Sequence, residues 1–282
     1  MMRLNLGLTK RLIFFSRNIC NLDYISNALK TFSKIDPENI SGKNPGKMYN
    51  LINGEWTTTK KYTEVIDPMN GENFLLMPDT SVEELNPLAE CMKTCPKAGL
   101  HNPLKNPERY LLYGSICQKA ASLLYHEPIF DHFVKLLIRT MPKSEAQAKG
   151  EIKTVRAFIE NFAGDNVRFL AQSIQYPGDY NGQRATSYRW PYGPVAIISP
   201  FNFPIEIPAL QFMGALFMGN KAIIKPHTKT SAIVEEFLRF LIYCGMPPTD
   251  INMIHSFGGV FEQIYDKCDI RMTQFTGSSF VA

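Results

Sequence analysis

The chain has 282 residues, of which 45% are hydrophobic and 20% are charged, a composition typical of a folded globular protein rather than a disordered one. Its net charge of +4 comes from four basic residues within residues 1–22; without them, residues 23–282 carry 26 basic and 26 acidic side chains, which predicts no nucleic-acid partner. No apolar run reaches the roughly eighteen residues that a membrane-spanning helix requires, so no membrane span is predicted.

Residues 1–22, MMRLNLGLTKRLIFFSRNICNL, place basic side chains among apolar ones and contain no carboxylate. This pattern predicts a mitochondrial presequence and therefore a location in the mitochondrial matrix. A secretory signal is excluded because its apolar core would be longer than the run Leu12–Phe15. A disordered basic tail is the alternative interpretation.

Residues 23–48 are rich in Pro, Gly, Asn and Ser and lack a regular apolar period, which predicts an extended arm or linker. Residues 49–173 follow as a region of hairpins and helices. Asn53-Gly54 and Asn70-Gly71 each lie between segments suited to strands. Because Asn-Gly accommodates the positive φ angles of a tight turn, each pair predicts a hairpin.

Two helices are predicted within residues 107–162. Pro107 precedes the first helix and Pro128 follows it. One face of this helix carries Leu112, Ile116, Lys119, Leu123 and Leu124. The second helix begins at a capping box formed by Ser144 and Gln147. Its apolar stripe consists of Ile152, Val155, Phe158, Ile159 and Phe162.

The cysteines are scattered through the chain without a CxxC pair, which excludes a zinc ribbon and a thioredoxin motif. They are Cys20, Cys91, Cys95, Cys117, Cys244 and Cys268. Cys91 and Cys95 lie one helical turn apart. A metal shared with His101 is one interpretation, and two small residues packed on one helix face is the favoured one. No metal site is predicted, and a mitochondrial location implies six free thiols.

Residues 174–192 predict a short strand or hairpin, with a turn at Gly178–Gly182 followed by the alternating side chains of Thr186, Tyr188 and Trp190. From residue 193 to residue 282, short apolar runs alternate with helix-length segments. Strands that alternate with helices predict a parallel sheet with helices on both faces. In such sheets ligands bind beyond the carboxyl ends of the strands. The loops of interest therefore follow Ile198, Ile224, Ile254 and Phe275.

The first of these loops, SPFNFP, places Asn202 between two aromatic residues just ahead of a helix expected to start at Pro204. A fixed, neutral amide in an apolar setting is suited to stabilise a developing oxyanion. An Asn at a strand-to-helix junction is also a common cap or turn residue, and that alternative stays open.

The other three loops carry weaker signals of ligand binding. Lys225 ends a strand, Gly258 and Gly259 permit close backbone approach at a helix start, and Gly277 stands at a strand-to-helix turn whose free N–H groups attract phosphate.

Taken in order, YGPVAIISPFNFP, MGALFMGNKAIIKP, CGMPPTDINMI and FTGSS resemble the cofactor half of the aldehyde dehydrogenase superfamily, and LINGEW and PMNGE resemble its entry strands. The resemblance covers residues 48–282. Within the superfamily, SPFNFP, GGVF and GSSFVA are most similar to the 1-pyrroline-5-carboxylate dehydrogenase branch. The implied fold is an aldehyde dehydrogenase-like, Rossmann-type α/β sheet, incomplete before the catalytic domain.

The resemblance implies NAD-dependent oxidation of L-glutamate gamma-semialdehyde to L-glutamate in proline catabolism, with NAD as cofactor, a small aldehyde as substrate and a homo-oligomer for the complete protein. Residues 174–192 would be its bridging or oligomerisation strand. Asn202 would hold the oxyanion, and Phe203 would line the aldehyde pocket.

The resemblance also assigns the cofactor contacts. Ser199 and Lys225 would line the adenosine ribose, and Gly277 and Ser278 would face the pyrophosphate. The residues expected near the adenine are Gly258, Gly259, Val260 and Phe261.

Two departures from the family pattern limit these expectations. Many members have an acid three residues after the lysine to bind the ribose hydroxyls, whereas this chain has Thr228, so the preference for NAD over NADP is less secure. The family's nucleophilic cysteine and general-base glutamate lie beyond the GSS turn, and neither Cys244 nor Cys268 has the nucleophile's sequence context. The chain alone is therefore predicted to be inactive, with apolar surface that favours aggregation. The alternatives are a truncated regulatory or NAD-binding isoform and a non-functional fragment.

Overall fold

The structure, a computed structural model, describes residues 22–106 and 108–282. The predicted presequence lies outside these residues except for Leu22. The helices are α1 (Leu22–Phe32), α2 (Asn86–Lys93), α3 (Glu108–Leu123), α4 (Glu127–Thr140), α5 (Glu145–Glu160), α6 (Glu206–Phe217), α7 (Ser231–Tyr243) and α8 (Gly258–Lys267). The strands are β1 (Gly46–Lys47), β2 (Asn50–Ile52), β3 (Glu55–Thr57), β4 (Tyr62–Ile66), β5 (Asn73–Pro78), β6 (Ile174–Pro177), β7 (Arg184–Ser187), β8 (Pro194–Ile198), β9 (Lys221–Lys225), β10 (Ile251–Met253) and β11 (Met272–Phe275). Within the described ranges, no helix is long and apolar enough to cross a membrane.

The central sheet has the strand order β11-β8-β9-β10-β2-β3. Its first four strands are parallel to one another, as the alternation of strands and helices predicts. The two inner strands β8 and β9 are almost fully buried, which explains why their sequences, PVAII and KAIIK, read as continuous apolar runs. β2 and β3 extend the sheet in the antiparallel sense.

Helix α7 is buried along most of its length, from Ser231 to Leu241. It packs against α1, α3 and α4, and its end agrees with the sequence, since Gly245 has the positive φ of a helix-terminating residue (112°). A second buried cluster joins α2 and α8 to the other face of the sheet through Leu88, Phe261 and Ile223. Helices on both faces are thus confirmed.

Both Asn-Gly hairpins are confirmed. Asn53 and Gly54, with φ angles of 51° and 86°, join β2 to β3. Asn70 and Gly71 lie between β4 and β5, which pair antiparallel, and β1 completes a three-stranded sheet beside β5.

The arm or linker expected at residues 23–48 is not found. Helix α1 occupies the start of this segment and buries Ile25, Ala28 and Phe32 in the main core. Phe32 stacks on Phe133 of α4 with ring centroids 6.2 Å apart. The spacing of three and four residues is helical, but it spans only two turns and is followed by Pro and Gly, which hid it in the sequence.

The capping box is confirmed, because the Ser144 hydroxyl accepts from the Gln147 N–H and the Gln147 side chain accepts from the Ser144 N–H. Pro128, expected only to follow the first predicted helix, stands in the first turn of α4. Phe162, just after α5, packs on Phe217 of α6 with centroids 4.3 Å apart.

Strands β6 and β7 form a hairpin that bonds to neither of the other sheets. The hairpin was one of the two forms predicted for this segment, and it is exposed along nearly its whole length. Strand β7 ends at Ser187, so Tyr188 and Trp190, which the alternating pattern predicts to be part of the strand, lie outside β7.

Candidate functional site

The loops singled out by the sequence meet at the carboxyl edge of the parallel sheet. The chain runs from β8 to β9 to β10 in one direction and then returns to place β11 on the opposite side of β8. The loops after β8 and β11 therefore diverge at a topological switch point, where open parallel sheets bind their ligands. The register pairs Ile198 with both Lys225 and Phe275, so these strand ends lie at one level.

The loop after β8 presents its Asn and both of its aromatic residues to solvent. Asn202 is exposed, and Phe201 and Phe203 are 50% and 42% exposed. Helix α6 begins at Glu206, with Ile205 as its cap residue and no side-chain capping bond. The interpretation of Asn202 as the helix cap is therefore wrong, and its amide is left available to a ligand.

A buried glutamate from another helix holds this loop. Glu151 of α5 accepts hydrogen bonds from the N–H groups of Ile205 and Glu206 at 3.0 and 3.1 Å, which satisfies two donors that the start of α6 leaves open. Its second oxygen binds the Lys143 ammonium at 2.6 Å. The same ammonium lies 4.1 Å from the ring centroid of Phe203. Sequence reasoning missed both residues, because 54 positions separate Glu151 from Ile205.

The β9 strand end carries three cationic or ionisable side chains. Lys225 is partly buried, and burial lowers the pKa of its ammonium. The pKa of His227 is lowered first by burial and then by the charges of Lys225 and Lys229. The His227 ring packs 5.3 Å from that of Phe201, which connects this strand end to the loop after β8.

Two buried hydroxyls flank the β9 strand end. The Ser199 N–H donates to the Lys225 carbonyl at 3.3 Å, while its Oγ has no partner among the described residues. The Oγ of Ser256, after β10, is also buried and also has no hydrogen-bond partner among the described residues. Buried polar atoms are normally satisfied by protein, water or ligand. The donors and hydroxyls here fit the polar end of a nucleotide.

The predicted adenine contacts divide into two groups. Gly258 and Gly259 are exposed at the first turn of α8, and a side chain at either position would meet no atom from elsewhere in the fold within 4 Å. Val260 is partly buried and Phe261 is buried in the α2–α8 cluster. The Phe261 side chain fills the core beneath the glycines, and the position of residues 258–261 near the adenine stays a prediction.

Gly277 and Ser278 follow β11 and are exposed. The Thr276 N–H donates to the Ile198 carbonyl at 3.0 Å, so the turn begins beside the loop that carries Asn202. The Ser278 carbonyl accepts from the N–H groups of Val281 and Ala282, as at the start of a helix. A side chain at Gly277 would meet the tip of the Phe275 ring at 2.7 Å, so a larger residue here would require that ring to move.

The cysteines of residues 22–106 and 108–282 lie away from this edge. The Cys91 carbonyl accepts from Lys221 at the amino end of β9, and Cys244 and Cys268 end the helices that lead back to that side. Burial raises the pKa of the Cys117 thiol to about 12 and that of Cys268 to about 11. Thiols of this kind are not reactive thiolates.

Cys91, Cys95 and His101 are not arranged as a metal site. No group of three His, Cys, Asp or Glu side chains in the described ranges is arranged to hold a metal ion. His101 instead packs on Tyr110 with ring centroids 3.9 Å apart, and burial is the main cause that lowers its pKa.

Comparison with known proteins agrees with this architecture. A mitochondrial delta-1-pyrroline-5-carboxylate dehydrogenase of Arabidopsis thaliana is 47% identical over 251 residues, covering 89% of this chain and 45% of the relative. A structure from Sinorhizobium meliloti, described as a methylmalonate-semialdehyde dehydrogenase complexed with NAD, is 25% identical with a TM-score of 0.71, covering 84% of this chain and 47% of its own. An NADP-dependent glyceraldehyde-3-phosphate dehydrogenase of Bacillus halodurans, complexed with NADP, is 25% identical with a TM-score of 0.65, covering 83% and 49%.

The chain thus spans about half the length of these relatives. The domain described as "Aldehyde dehydrogenase family" matches residues 56–282, which is most of the chain and includes the four parallel strands of the central sheet, β8 to β11. By sequence and by fold, this chain belongs to the aldehyde dehydrogenase family.

Proposed function

We propose that the complete protein oxidises L-glutamate gamma-semialdehyde to L-glutamate with NAD, in proline catabolism, and that this chain supplies the cofactor site and the oxyanion-holding amide. The observation that carries the proposal is the meeting of Asn202, Lys225, Gly258 and Gly277 at the carboxyl edge of one parallel sheet. The 47% identity to the Arabidopsis enzyme supports the choice of substrate.

Asn202 performs the electrostatic part of the reaction. When a nucleophile attacks the aldehyde carbon, the carbonyl oxygen gains negative charge, and the Asn202 amide N–H donates a hydrogen bond to it. The Glu151 bonds to the N–H groups at the start of α6 hold the loop, so the amide needs little reorganisation as charge develops. Phe203 forms an apolar wall beside it and limits access of water.

The polar end of the site binds the cofactor. Ser199 and Lys225 hold the adenosine ribose, Gly258 and Gly259 allow the adenine to approach the start of α8, and Gly277 and Ser278 offer backbone N–H groups to the pyrophosphate. Partial burial strengthens the interaction of Lys225 with polar groups of the ligand. When bound, the nicotinamide ring supplies the hydride-accepting chemistry.

We also propose a location and an assembly for the complete protein, from the similarity to the Arabidopsis relative and from the exposed hairpin. The Arabidopsis relative is named as mitochondrial, and the basic residues 1–22 agree with entry into the mitochondrial matrix. The exposed hairpin β6–β7 carries Ile174 and Tyr176 in solvent, which suits an intersubunit contact of a homo-oligomer.

A chimeric enzyme tests this function. Residues 23–282 are joined to the part of the Arabidopsis relative that lies beyond the matched region, and NADH formation from glutamate semialdehyde is followed at 340 nm. We expect activity, and we expect Asn202→Ala to lower kcat about 100- to 1000-fold because an oxyanion donor is lost. Asn181→Ala, an exposed Asn in the β6–β7 turn, is the matched control and should leave kcat unchanged.

The 282-residue chain by itself is expected to form no NADH, because no described cysteine lies at the ligand edge. Turnover by the isolated chain that disappears in Asn202→Ala would show that one of its own cysteines is the nucleophile. Equal activity of the Asn202→Ala and Asn181→Ala chimeras would refute the role of Asn202.

A further inference from the structure

His255, two residues after the end of β10, has both of its backbone polar groups bound by side chains from distant parts of the chain. The Asn50 Oδ1, on β2, accepts from the His255 N–H at 2.8 Å, and the Thr80 hydroxyl, after β5, donates to the His255 carbonyl at 2.6 Å. The Asn50 amide also donates to the Thr80 hydroxyl at 2.8 Å, which closes a ring of three hydrogen bonds. We call this ring the β10 clamp. Because all three residues are at most 2% exposed, water does not compete for these bonds, and the clamp fixes the backbone at His255.

The side chain of His255 is held as well. Its Nε2 lies 3.1 Å from the Tyr49 carbonyl, and a carbonyl oxygen only accepts, so Nε2 carries the ring proton. The same nitrogen lies 3.6 Å from the Oε2 of Glu235, which is fully buried on α7. Strand β2 and helix α7 therefore add to the clamp in holding His255.

The residues that follow His255 lack such bonds. The Ser256 Oγ has no partner within the part of the chain that the structure describes. Phe257 is 49% exposed, and as the cap residue of α8 it supplies no side-chain acceptor to the first N–H groups of that helix. The next anchor is Phe261, whose side chain is buried between α2 and α8. The position of residues 256–259 thus depends on the anchors at their two ends, the β10 clamp and Phe261.

We propose that Asn50 and Thr80 are positioning residues for cofactor binding, which act through His255 to hold Gly258 and Gly259 where the adenosine end of the cofactor meets α8. This inference rests on the proposed cofactor site and adds two residues to it that are themselves too buried to touch a ligand. Without the clamp, residues 256–259 populate further conformations. The apparent affinity then falls with the fraction of chains that hold the binding conformation.

Titration of the 282-residue chain with 5′-AMP tests the proposal without any need for catalysis. Thr80→Val keeps the shape of the side chain but removes the hydroxyl, and we expect it to weaken 5′-AMP binding about tenfold. Thr80→Ser restores a hydroxyl and should bind 5′-AMP within about twofold of the parent chain. Asn50→Ala leaves the His255 N–H without its acceptor and should weaken binding at least as much as Thr80→Val.

Tyr113→Phe is the matched control, because it removes a buried hydrogen bond at the opposite end of β10. The Tyr113 hydroxyl donates to the Asp250 Oδ2 at 2.8 Å. Urea unfolding should show a loss of stability for Tyr113→Phe and for Thr80→Val, whereas 5′-AMP binding should weaken only for Thr80→Val. In the ligand-free chain, the Phe261 N–H donates to the Phe257 carbonyl at 3.2 Å, and its hydrogen exchange should accelerate in Thr80→Val alone.

The results separate the β10 clamp from the cofactor site itself. Equal 5′-AMP affinity of the parent and Thr80→Val, an equal loss in Tyr113→Phe, or a failure of Thr80→Ser to restore binding would overturn the positioning role and leave the cofactor site standing. A parent chain that binds neither 5′-AMP nor NAD at millimolar concentration would overturn the cofactor site and the positioning role together.

Discussion

The two ends of the central sheet differ in how completely their polar groups are paired. At the β10–β2 end, the Asn252 side chain accepts from the Asn53 N–H at 2.8 Å, and Asn50 accepts from the His255 N–H at 2.8 Å. At the β11–β8 end, Asn202 and Gly277 are exposed, and the turn after β11 is held by one side-chain bond, from the Gln211 amide to the Thr276 hydroxyl at 3.0 Å.

The contrast indicates that one end of the sheet contributes mainly to folding stability and the other mainly to ligand binding. The first end, which we call the closed end, buries Asn50, Asn252, Glu235 and Arg239 in one connected region with α7. Such buried networks favour a single native arrangement when every member is paired. The other, the open end, keeps its polar groups available for ligands, so its residues contribute less to folding. Substitutions at the two ends should therefore have unequal effects on the free energy of unfolding.

The largest loss should come from Glu235→Ala at the closed end. Glu235 is fully buried, binds the Arg239 guanidinium at 2.6 Å and accepts from the Tyr49 N–H at 2.8 Å. Its removal leaves a buried, unpaired Arg, which costs about 3–5 kcal/mol. Urea unfolding followed by circular dichroism measures the loss.

Two controls sharpen that measurement. The double variant Glu235→Ala with Arg239→Met removes the stranded charge and should recover part of the stability. Glu38→Ala, which breaks an exposed ion pair with Lys135, should not move the unfolding midpoint. A Glu235→Ala chain as stable as the parent would mean that Arg239 reaches solvent and that the closed end owes little to this pair.

A smaller loss is expected for Glu151→Ala, which frees the loop of the open end from the body of the protein. Two N–H groups at the start of α6 and the Lys143 ammonium lose their acceptor, and we expect a loss of about 2–3 kcal/mol. Hydrogen exchange should accelerate at Ile205 and Glu206. Glu145→Ala, on the exposed side of the same helix, is the matched control. Unchanged exchange at both amides would contradict the role of Glu151 as their cap.

The sequence predicts correctly those parts of the fold that are specified by residues close together in the chain. The Asn-Gly turns, the Ser144 capping box and the alternation of strands and helices each lie within a few residues of the structure they specify. Helix α1 was missed because its stability comes from packing on α4 and α7, which are about 100 and 200 positions away along the chain.

The residues of the candidate site also fall into those that local sequence motifs predict and those that they do not. Asn202 and Gly277 were identified as candidates from motifs at strand ends, and parallel pairing brings them to one edge. The burial of the Phe261 side chain was not predicted, because two glycines at a helix start do not reveal which face of the next turn is buried. Glu151 and His227 were missed as contributors because their roles depend on partners in space, at Ile205 and at Phe201.

Cys95→Ser should cost about 1 kcal/mol or less, since Cys95 is only partly buried beside the amino ends of the strands. Labelling of this variant tests whether Cys95, which lies away from the ligand edge, is the most reactive thiol. In a Cys20→Ser background, Cys95 should react with a maleimide at least about tenfold faster than the four buried cysteines, which react only through opening. Fast labelling that survives Cys95→Ser would place a reactive thiol elsewhere.

The pH dependence of this labelling follows from the surroundings of Cys95. Burial raises the pKa of its thiol, and the charges of Lys221 and Arg271 only partly oppose that shift. The thiolate is the reactive form, so the labelling rate should keep rising with pH beyond about pH 9. A rate that levels off near neutral pH would indicate an activated thiolate.

The smallest effect on unfolding should come from the hairpin β6–β7. Ile174 and Tyr176 are 61% and 50% exposed, and the two strands bond only to each other. Ile174→Ser together with Tyr176→Ser should change the free energy of unfolding by no more than about 0.5 kcal/mol.

Such a small effect would itself be informative, because an isolated two-stranded hairpin is only marginally stable in water and these apolar side chains do not serve the chain's own core. If the hairpin instead binds a second subunit, the same double variant should weaken self-association about tenfold or more. Sedimentation equilibrium measures the association, and urea unfolding of the same variant should match that of the parent chain. If the double variant changes neither unfolding nor self-association, the hairpin has no role in assembly. A loss of association alone would place the interface at the hairpin, away from the network that stabilises the fold.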